Sequence, residues 1–311
     1  MKFFDRVTIH TKHTTKAACI EWLATAGVSA AESDIISGIE TYAHSPYRYC
    51  DIVVRHLHDQ QRRDRLSSAY NRLRPGEEPL AFELQVDYSQ ADLLSASLCT
   101  CAMQRMMKVR SGSAYGTQYD WGNACEFCGV GRRQIGPLIA KRSLLSKKQK
   151  LTVSWDADWI VSSVLSGAIV TEIDGGEACI NSVIDNQTRE SFGYGQLVPL
   201  IELPPWDAAT TGIAADESDP RRCRVCLRSG FFGVSGELYM PVVDASKLDL
   251  RTIPPIMESF EKWEYSDVKG TLHGCPFVAR GDMVLRRDVV ALFLKLKVRG
   301  MNLSPVRVLN Q

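Results

Sequence analysis

Two short sequences carry most of the chemistry this chain can offer: Cys125-Glu-Phe-Cys128 and Cys223-Arg-Val-Cys226. A Cys-x-x-Cys turn sets two thiolates on the same side of a tight loop. Two such turns supply the four soft ligands that zinc takes in a tetrahedron, about 2.3 Å from each sulfur. Gly129 follows the first pair directly, where the chain must reverse close to the metal, whereas the second pair is followed by Leu227, with Gly230 soon after. Nearly a hundred residues separate the pairs, far more than the roughly 15–20 of a zinc ribbon. Two other readings therefore stay open. The thiols can be unrelated buried side chains, or the motifs can do thioredoxin-like redox work, which requires each to open a helix after a strand. Both motifs sit among glycines and charges, and the expectation carried forward is one zinc ion at Cys125, Cys128, Cys223 and Cys226. A catalytic zinc keeps a position open to water, whereas four cysteines close the shell. The His-x-Glu and Pro-Cys-x-x-Cys elements of zinc deaminases are not in the sequence. The expected role is structural.

Other reactive residues fit plainer readings. His56 and His58 lie two apart, so on a helix they face different ways. His273-Gly-Cys275 holds the one histidine close to a cysteine in sequence, and a turn suits it better than a nucleophile pair, which needs closeness across the fold. The glycine groups Gly112–Gly116 and Gly129–Gly131 match neither a phosphate loop nor a dinucleotide fingerprint. Lys141, Arg142, Lys147, Lys148 and Lys150 form a basic stretch without interleaved aromatics for base stacking, as a solvated connector would. Acidic groups recur at Asp216, Glu217 and Asp219 and at Glu258, Glu261 and Glu264. Read as surface acid on loops, these six are the candidate contacts for a basic protein partner.

The elements that must position the cysteines follow from composition and patterning. The chain has 311 residues, 45% hydrophobic and 23% charged, with a net charge of +1. That balance suits two or three globular domains and lacks the basic excess of a nucleic-acid binder. The first residues lack the apolar core of a signal peptide, and no stretch approaches the roughly 20 apolar residues of a membrane span. The expected location is the cytoplasm, where ten cysteines imply metal ligands and buried thiols rather than disulfides.

Residues 1–78 are expected to be helical, from Lys16–Ala26, a capping box at Ser29–Glu32, and a helix opened by Pro46 and closed by Pro75-Gly76. Leu80–Val86 alternates as a half-buried strand, and Ser89–Asp92 starts another helix running into Leu98 and Cys99. Beyond it the sequence reads as an internal duplication. Each copy opens with a Cys-x-x-Cys turn and closes with strand, helix, strand: Trp159–Val161, Ser163–Val170, Ile180–Val183, then Met283–Leu285, Asp288–Lys295, Leu303–Val306. The expected units are 79–203 and 204–311, with the proline-rich stretch Pro204–Pro220 as the link. The expected fold class is α+β, a helical N-terminal region followed by two related α/β units sharing a split four-cysteine zinc site.

Tyr119-Asp-Trp-Gly-Asn-Ala-Cys125-Glu-Phe-Cys128-Gly-Val-Gly-Arg-Arg-Gln134, with Trp159–Ser163, Tyr194–Leu197, Cys223–Cys226 and Gly300–Val306, resembles the double-CXXCG motif proteins of bacteria over roughly residues 80–311. Leu227 departs from the motif, standing where its second glycine belongs. Some members of that family are immunity proteins made beside a toxin. The resemblance implies a non-enzymatic cytoplasmic inhibitor that binds a toxin encoded by an adjacent gene and blocks its active site. The competing expectations are a zinc-containing nucleic-acid adaptor using Lys141–Lys150 and an enzyme built around His273 and Cys275.

Overall fold

The computed structural model describes residues 2–12, 24, 34–36, 49–57, 59–73, 82–103, 111–145, 149–154, 156–215, 217–234, 237–263, 265–266, 268 and 278–309. The fold is mixed α/β, and it divides into two compact units, Met1–Tyr88 with Gly233–Tyr239, and Ser89–Phe232 with Met240–Gln311.

In the first unit β1 (Lys2–Lys12), β2 (Asp34–Ile36), β3 (Tyr49–Leu57) and β4 (Phe82–Asp87) form one sheet in the order β2-β3-β1-β4. β1 pairs antiparallel with β3, from Phe4 opposite Leu57 to Lys12 opposite Tyr49. A helix α1 (Gln60–Leu73) follows β3, started by the Asp59 carboxylate, which accepts the Gln61 N–H at 3.0 Å. This corrects the all-helical expectation for residues 1–78. The helix expected from Pro46 onward is helical only from Gln60, because Tyr49-Cys-Asp-Ile-Val-Val is rich in β-branched and aromatic residues and takes the extended form. Of the segment expected at 16–26 only Ala24 is described, and the capping box expected at 29–32 lies outside the described residues.

The second unit opens with α2 (Gln90–Ser95) and β5 (Leu98–Met103). Ser89 and Asp92 make a capping box at the expected helix start, the Ser89 hydroxyl accepting the Asp92 N–H at 3.2 Å and the Asp92 carboxylate accepting the Ser89 N–H at 2.9 Å. The helix is shorter than expected. Leu98 and Cys99 belong to β5, a strand buried within a sheet, and such a run lacks the alternation that would mark it in sequence.

A hairpin of β6 (Gln118–Asp120) and β7 (Arg133–Ile135) comes next, then β8 (Leu138–Ala140), β9 (Leu151–Val153), β10 (Trp159–Ser162), α3 (Ser163–Glu172), β11 (Ile180–Asp185) and β12 (Ser191–Leu197). These last strands form a five-stranded sheet, β8-β11-β12-β10-β9. Then follow β13 (Ile213–Ala215), β14 (Ser229–Gly233), β15 (Val242–Asp244), β16 (Ile256–Trp263), β17 (Gly281–Arg286), α4 (Arg287–Lys295), β18 (Met301–Pro305) and β19 (Arg307–Leu309). The larger sheet runs β13-β14-β16-β17-β5-β18, and β15 pairs with β19.

Both expected strand–helix–strand segments are present. α3 buries Leu165 and Ile169, one turn apart, and Ser162 caps it by accepting the Leu165 N–H. α4 buries Val289, Val290, Leu292 and Phe293. Each such side chain contributes about 1.5–3 kcal/mol on leaving water. The sheets also repeat a succession of partners. β10 lies between β9 and β12, and β11 pairs first with β12 and then, in parallel, with β8. β17 lies between β16 and β5; β18 pairs with β5, and its continuation β19 pairs in parallel with β15.

The proline-rich stretch expected to link two units lies inside the second one. Leu203 and Trp206 pack in a buried cluster with Leu98, Val243, Ile253, Met257, Val284 and Val306. Leu203 donates its N–H to the Glu258 carbonyl, and Asp207 does so to that of Val242. Prolines here fix extended backbone for packing rather than loosening it.

Candidate metal centre

The first knuckle is the loop of the β6–β7 hairpin, in which Gln118 faces Ile135 and Asp120 faces Arg133. The Asp120 carboxylate accepts the Gly122 N–H at 2.9 Å and bends the chain out of the strand. The Cys125 N–H then meets the Val130 carbonyl at 2.8 Å, and the Gly129 N–H meets the Cys125 carbonyl at 2.7 Å. That reversal turns the N–H groups of Cys128 and Phe127 toward the Cys125 sulfur. The second knuckle repeats the device, the Cys226 N–H reaching the Cys223 sulfur at 3.5 Å alongside that of Val225.

Gly129 has φ +70° and Leu227 has φ +60°, so the residue after each second cysteine is left-handed. The missing glycine of the second motif does not change its turn. Gly129 is also crowded, since a Cβ there would lie 2.7 Å from the Trp121 ring and 3.1 Å from Val278.

The structure brings all four expected cysteines together, their sulfurs all within 4.8 Å of one another. Cys125 and Cys223 are 3.6 Å apart, Cys128 and Cys226 3.4 Å, and Cys223 and Cys226 3.6 Å. A disulfide would require about 2.05 Å. Sulfurs at the corners of a tetrahedron of 2.3 Å metal–sulfur bonds stand about 3.8 Å apart, close to these separations. Cys128 and Cys223 are buried beside Val130 and Val278, with Cys125 and Cys226 at the rim.

The environment divides the thiols. Burial opposes ionisation of Cys125, but the N–H groups of Cys128 and Phe127 outweigh it and hold this thiol at about 7. Burial pushes Cys128 and Cys223 above the usual thiol range. With all four ionised, sulfurs this close would need a cation among them, since metal ligation and deprotonation are linked. The cluster is thus positioned to hold a metal ion.

Two further groups of buried charge lie in the same unit, and of their charged side chains only Glu258 was a sequence candidate. Asp158 accepts from the Ser111 hydroxyl at 2.5 Å and from Gln196 at 3.3 Å. Gln196 pairs with Gln134 of β7, which fastens the first knuckle's hairpin to the five-stranded sheet. Burial and the neighbouring Asp158 raise the Asp156 carboxyl to about 6. The Arg132 guanidinium lies 4.0 Å from the Tyr119 ring centre. In the second group the Lys262 side chain, only 2% exposed, reaches Glu202 at 2.8 Å and Glu258 at 3.2 Å. Arg228, two residues past Cys226, meets Glu202 at 3.0 Å.

The acidic candidates divide differently from expectation. Glu217 is exposed and ion-paired with Arg222. Asp219 binds Arg221 at 2.6 Å, which holds its carboxyl far below the usual range. Glu258 and Glu261 are not loop acids: both lie on β16. Glu258 serves Lys262 and accepts the Gly281 N–H at 2.8 Å, while Glu261 is buried and accepts the Trp206 N–H at 2.9 Å. A buried lysine requires such a partner, which is why Glu258 points inward, while Glu261 turns inward to the Trp206 backbone. Asp216 and Glu264 lie outside the described residues, as do His58, His273, Cys275, Lys147 and Lys148.

Among the described residues no helix is long and apolar enough to cross a membrane. Comparison with known protein families, with curated proteins and with solved structures gave no match.

Proposed function

We propose that the chain is a binding protein, not an enzyme, whose second unit is held together by one structural zinc ion at Cys125, Cys128, Cys223 and Cys226. The observation that carries this reading is the convergence of four sulfurs from sequence-distant turns at separations a tetrahedral ion would span. An all-thiolate set favours zinc over hard cations, and a closed shell leaves no position for substrate. Elemental analysis of protein purified without added metal is expected to give one zinc per chain; no metal, or iron with its visible absorbance, would count against it.

The two halves of that unit are, on this reading, related. Each carries a knuckle, a hairpin followed at once by a helix, and a closing strand (continued as β19 in the second half) that pairs with a middle neighbour and then with a short parallel strand. β12 fills the middle place in one half and β5 in the other, drawn from opposite sides of the sequence.

The ligand of such a protein is, on the likeness to double-CXXCG immunity proteins, a toxin encoded by the adjacent gene and neutralised in the cytoplasm. The exposed acid Glu217, near the second knuckle in sequence, offers it charge. Co-expression with the neighbouring gene's product is expected to yield a one-to-one complex in which the toxin is inactive. Recovery of both proteins apart, or an unaffected toxin, would defeat the partner assignment while leaving the zinc site standing.

A further inference from the structure

Each partly exposed sulfur of the cluster has a buried sulfur of the other knuckle beside it. Cys125 and Cys226 lie at the rim, while Cys128 and Cys223 are buried. The Cys125 sulfur stands 3.6 Å from that of Cys223, and the Cys226 sulfur 3.4 Å from that of Cys128. These two approaches use each sulfur once, and both cross between turns 98 positions apart in sequence. Cys223 and Cys226 are also 3.6 Å apart within one knuckle, but pairing them would leave the two turns unjoined. Among the described residues the other free cysteines are buried. Cys99 meets the Leu93 carbonyl, Cys179 the Gly175 carbonyl and Cys101 the Met301 sulfur.

We propose that the centre is a site of oxidation by peroxides, at which disulfides Cys125–Cys223 and Cys128–Cys226 replace the metal ion and keep the knuckles joined. The inference rests on the four-cysteine zinc reading. Zinc holds its sulfurs as thiolates, the nucleophilic form of the group. A rim thiolate attacks the O–O bond of a peroxide; the sulfur keeps one oxygen as sulfenic acid and hydroxide leaves. The buried thiolate beside it then attacks that sulfur, the S–O bond breaks, a second hydroxide leaves and the S–S bond forms. Two protons turn the hydroxides into water. Each disulfide thus takes two electrons from sulfur and reduces one hydrogen peroxide to two waters. Two peroxides and four protons account for all four thiolates and set the zinc ion free. The sulfurs close from 3.4 and 3.6 Å to about 2.05 Å. A disulfide between distant turns constrains the unfolded chain more than one within a turn, so the unit stays closed without its ion.

The test uses the full chain loaded with one equivalent of zinc and treated with hydrogen peroxide. A chromogenic chelator reads zinc release, and peptide mapping without reductant reads the pairing. Zinc is expected to leave completely with the loss of four thiols and the appearance of Cys125–Cys223 and Cys128–Cys226 peptides. Reduction with dithiothreitol should let the chain take its zinc back. Peptides linked only as Cys125–Cys128 and Cys223–Cys226, or sulfinic acids without disulfides, overturn the proposal. Zinc still bound after the same peroxide has fully oxidised added glutathione overturns it too, as does failure to rebind zinc after reduction. Each of these outcomes leaves the zinc site standing. Untreated protein that binds no zinc on loading removes the zinc reading itself, and this proposal with it.

Discussion

The halves of the second unit use the same knuckle but guard it with opposite chemistry. Around the first, the hairpin is fixed by a carboxylate group, Asp156 and Asp158, with Ser111, Gln196 and Gln134 as neutral partners and the Arg280 guanidinium 3.8 Å from Asp158. Around the second, the fixing group is a buried cation, Lys262, held between Glu202 and Glu258. The turns differ as well: one uses a glycine pressed against Trp121, the other a half-exposed leucine in the same left-handed conformation. Backbone geometry close to the four cysteines is common to both halves, while the side chains that support it differ. The shared ion proposed above would demand the first and leave the second free.

The largest expected effect tests whether the ion is shared at all. Cys128→Ser and Cys223→Ser should each abolish tight metal binding and lower stability by several kcal/mol, since structural zinc sites contribute roughly 10–16 kcal/mol of apparent binding energy. Denaturant unfolding should give nearly equal losses for the two. A large loss for one and a small loss for the other would mean that the knuckles do not answer to a single ion.

Next comes the buried cation. Lys262→Met leaves Glu202 and Glu258 facing an apolar side chain, and breaking a buried pair costs about 3–5 kcal/mol. Adding Glu258→Gln should recover part of that. The opposite half should respond with the opposite sign. Asp156 is 6% exposed, and its carboxyl stands at about 6 against an ordinary 3.8. The folded state therefore holds a proton that the unfolded chain has already lost between these values. Stability is fully present below about 3.8, falls as pH rises toward 6 and then levels. At 1.36 kcal/mol per unit the total is at most about 3 kcal/mol. Asp156→Asn is expected to flatten that slope and to stabilise the protein at pH 7, read from melts across pH 4–8. A destabilised variant would show that the carboxylate is ionised and paired.

The sequence carried unequal signals for these features. The two strand–helix–strand segments were legible because each is a contiguous apolar run bounded by a charge or a cap, as in Ser162 before α3. The cysteines were legible by type and spacing. β5 was not: its neighbours β17 and β18 lie some 200 residues away, and a strand buried by distant partners looks like the end of the helix before it. Tyr49–Leu57 was likewise read as helix. Lys262 sits in Glu-Lys-Trp-Glu, which reads as a solvated surface until Glu202 and Glu258 are brought to it. Arg228 had one usable signal, its place two residues past a motif cysteine.

The smallest effect, that of Leu227→Gly, is set against Gly129→Leu to separate conformation from crowding in the turns. Gly129→Leu combines a left-handed backbone, about 1–2 kcal/mol for a side chain-bearing residue, with overlap onto Trp121 and Val278, about 1–3 kcal/mol more. Leu227→Gly is the reverse exchange. It relieves the same backbone strain, but glycine raises the entropy of the unfolded chain by about 0.4–1 kcal/mol, and the leucine is already 53% exposed. The two contributions nearly cancel, and the net change should stay within about 1 kcal/mol on the stabilising side. A substantial loss on Leu227→Gly would mean that the side chain itself packs in a way its exposure hides. The two turns would then differ in what they need from a neighbour, and the glycine would no longer be explained by Trp121 alone.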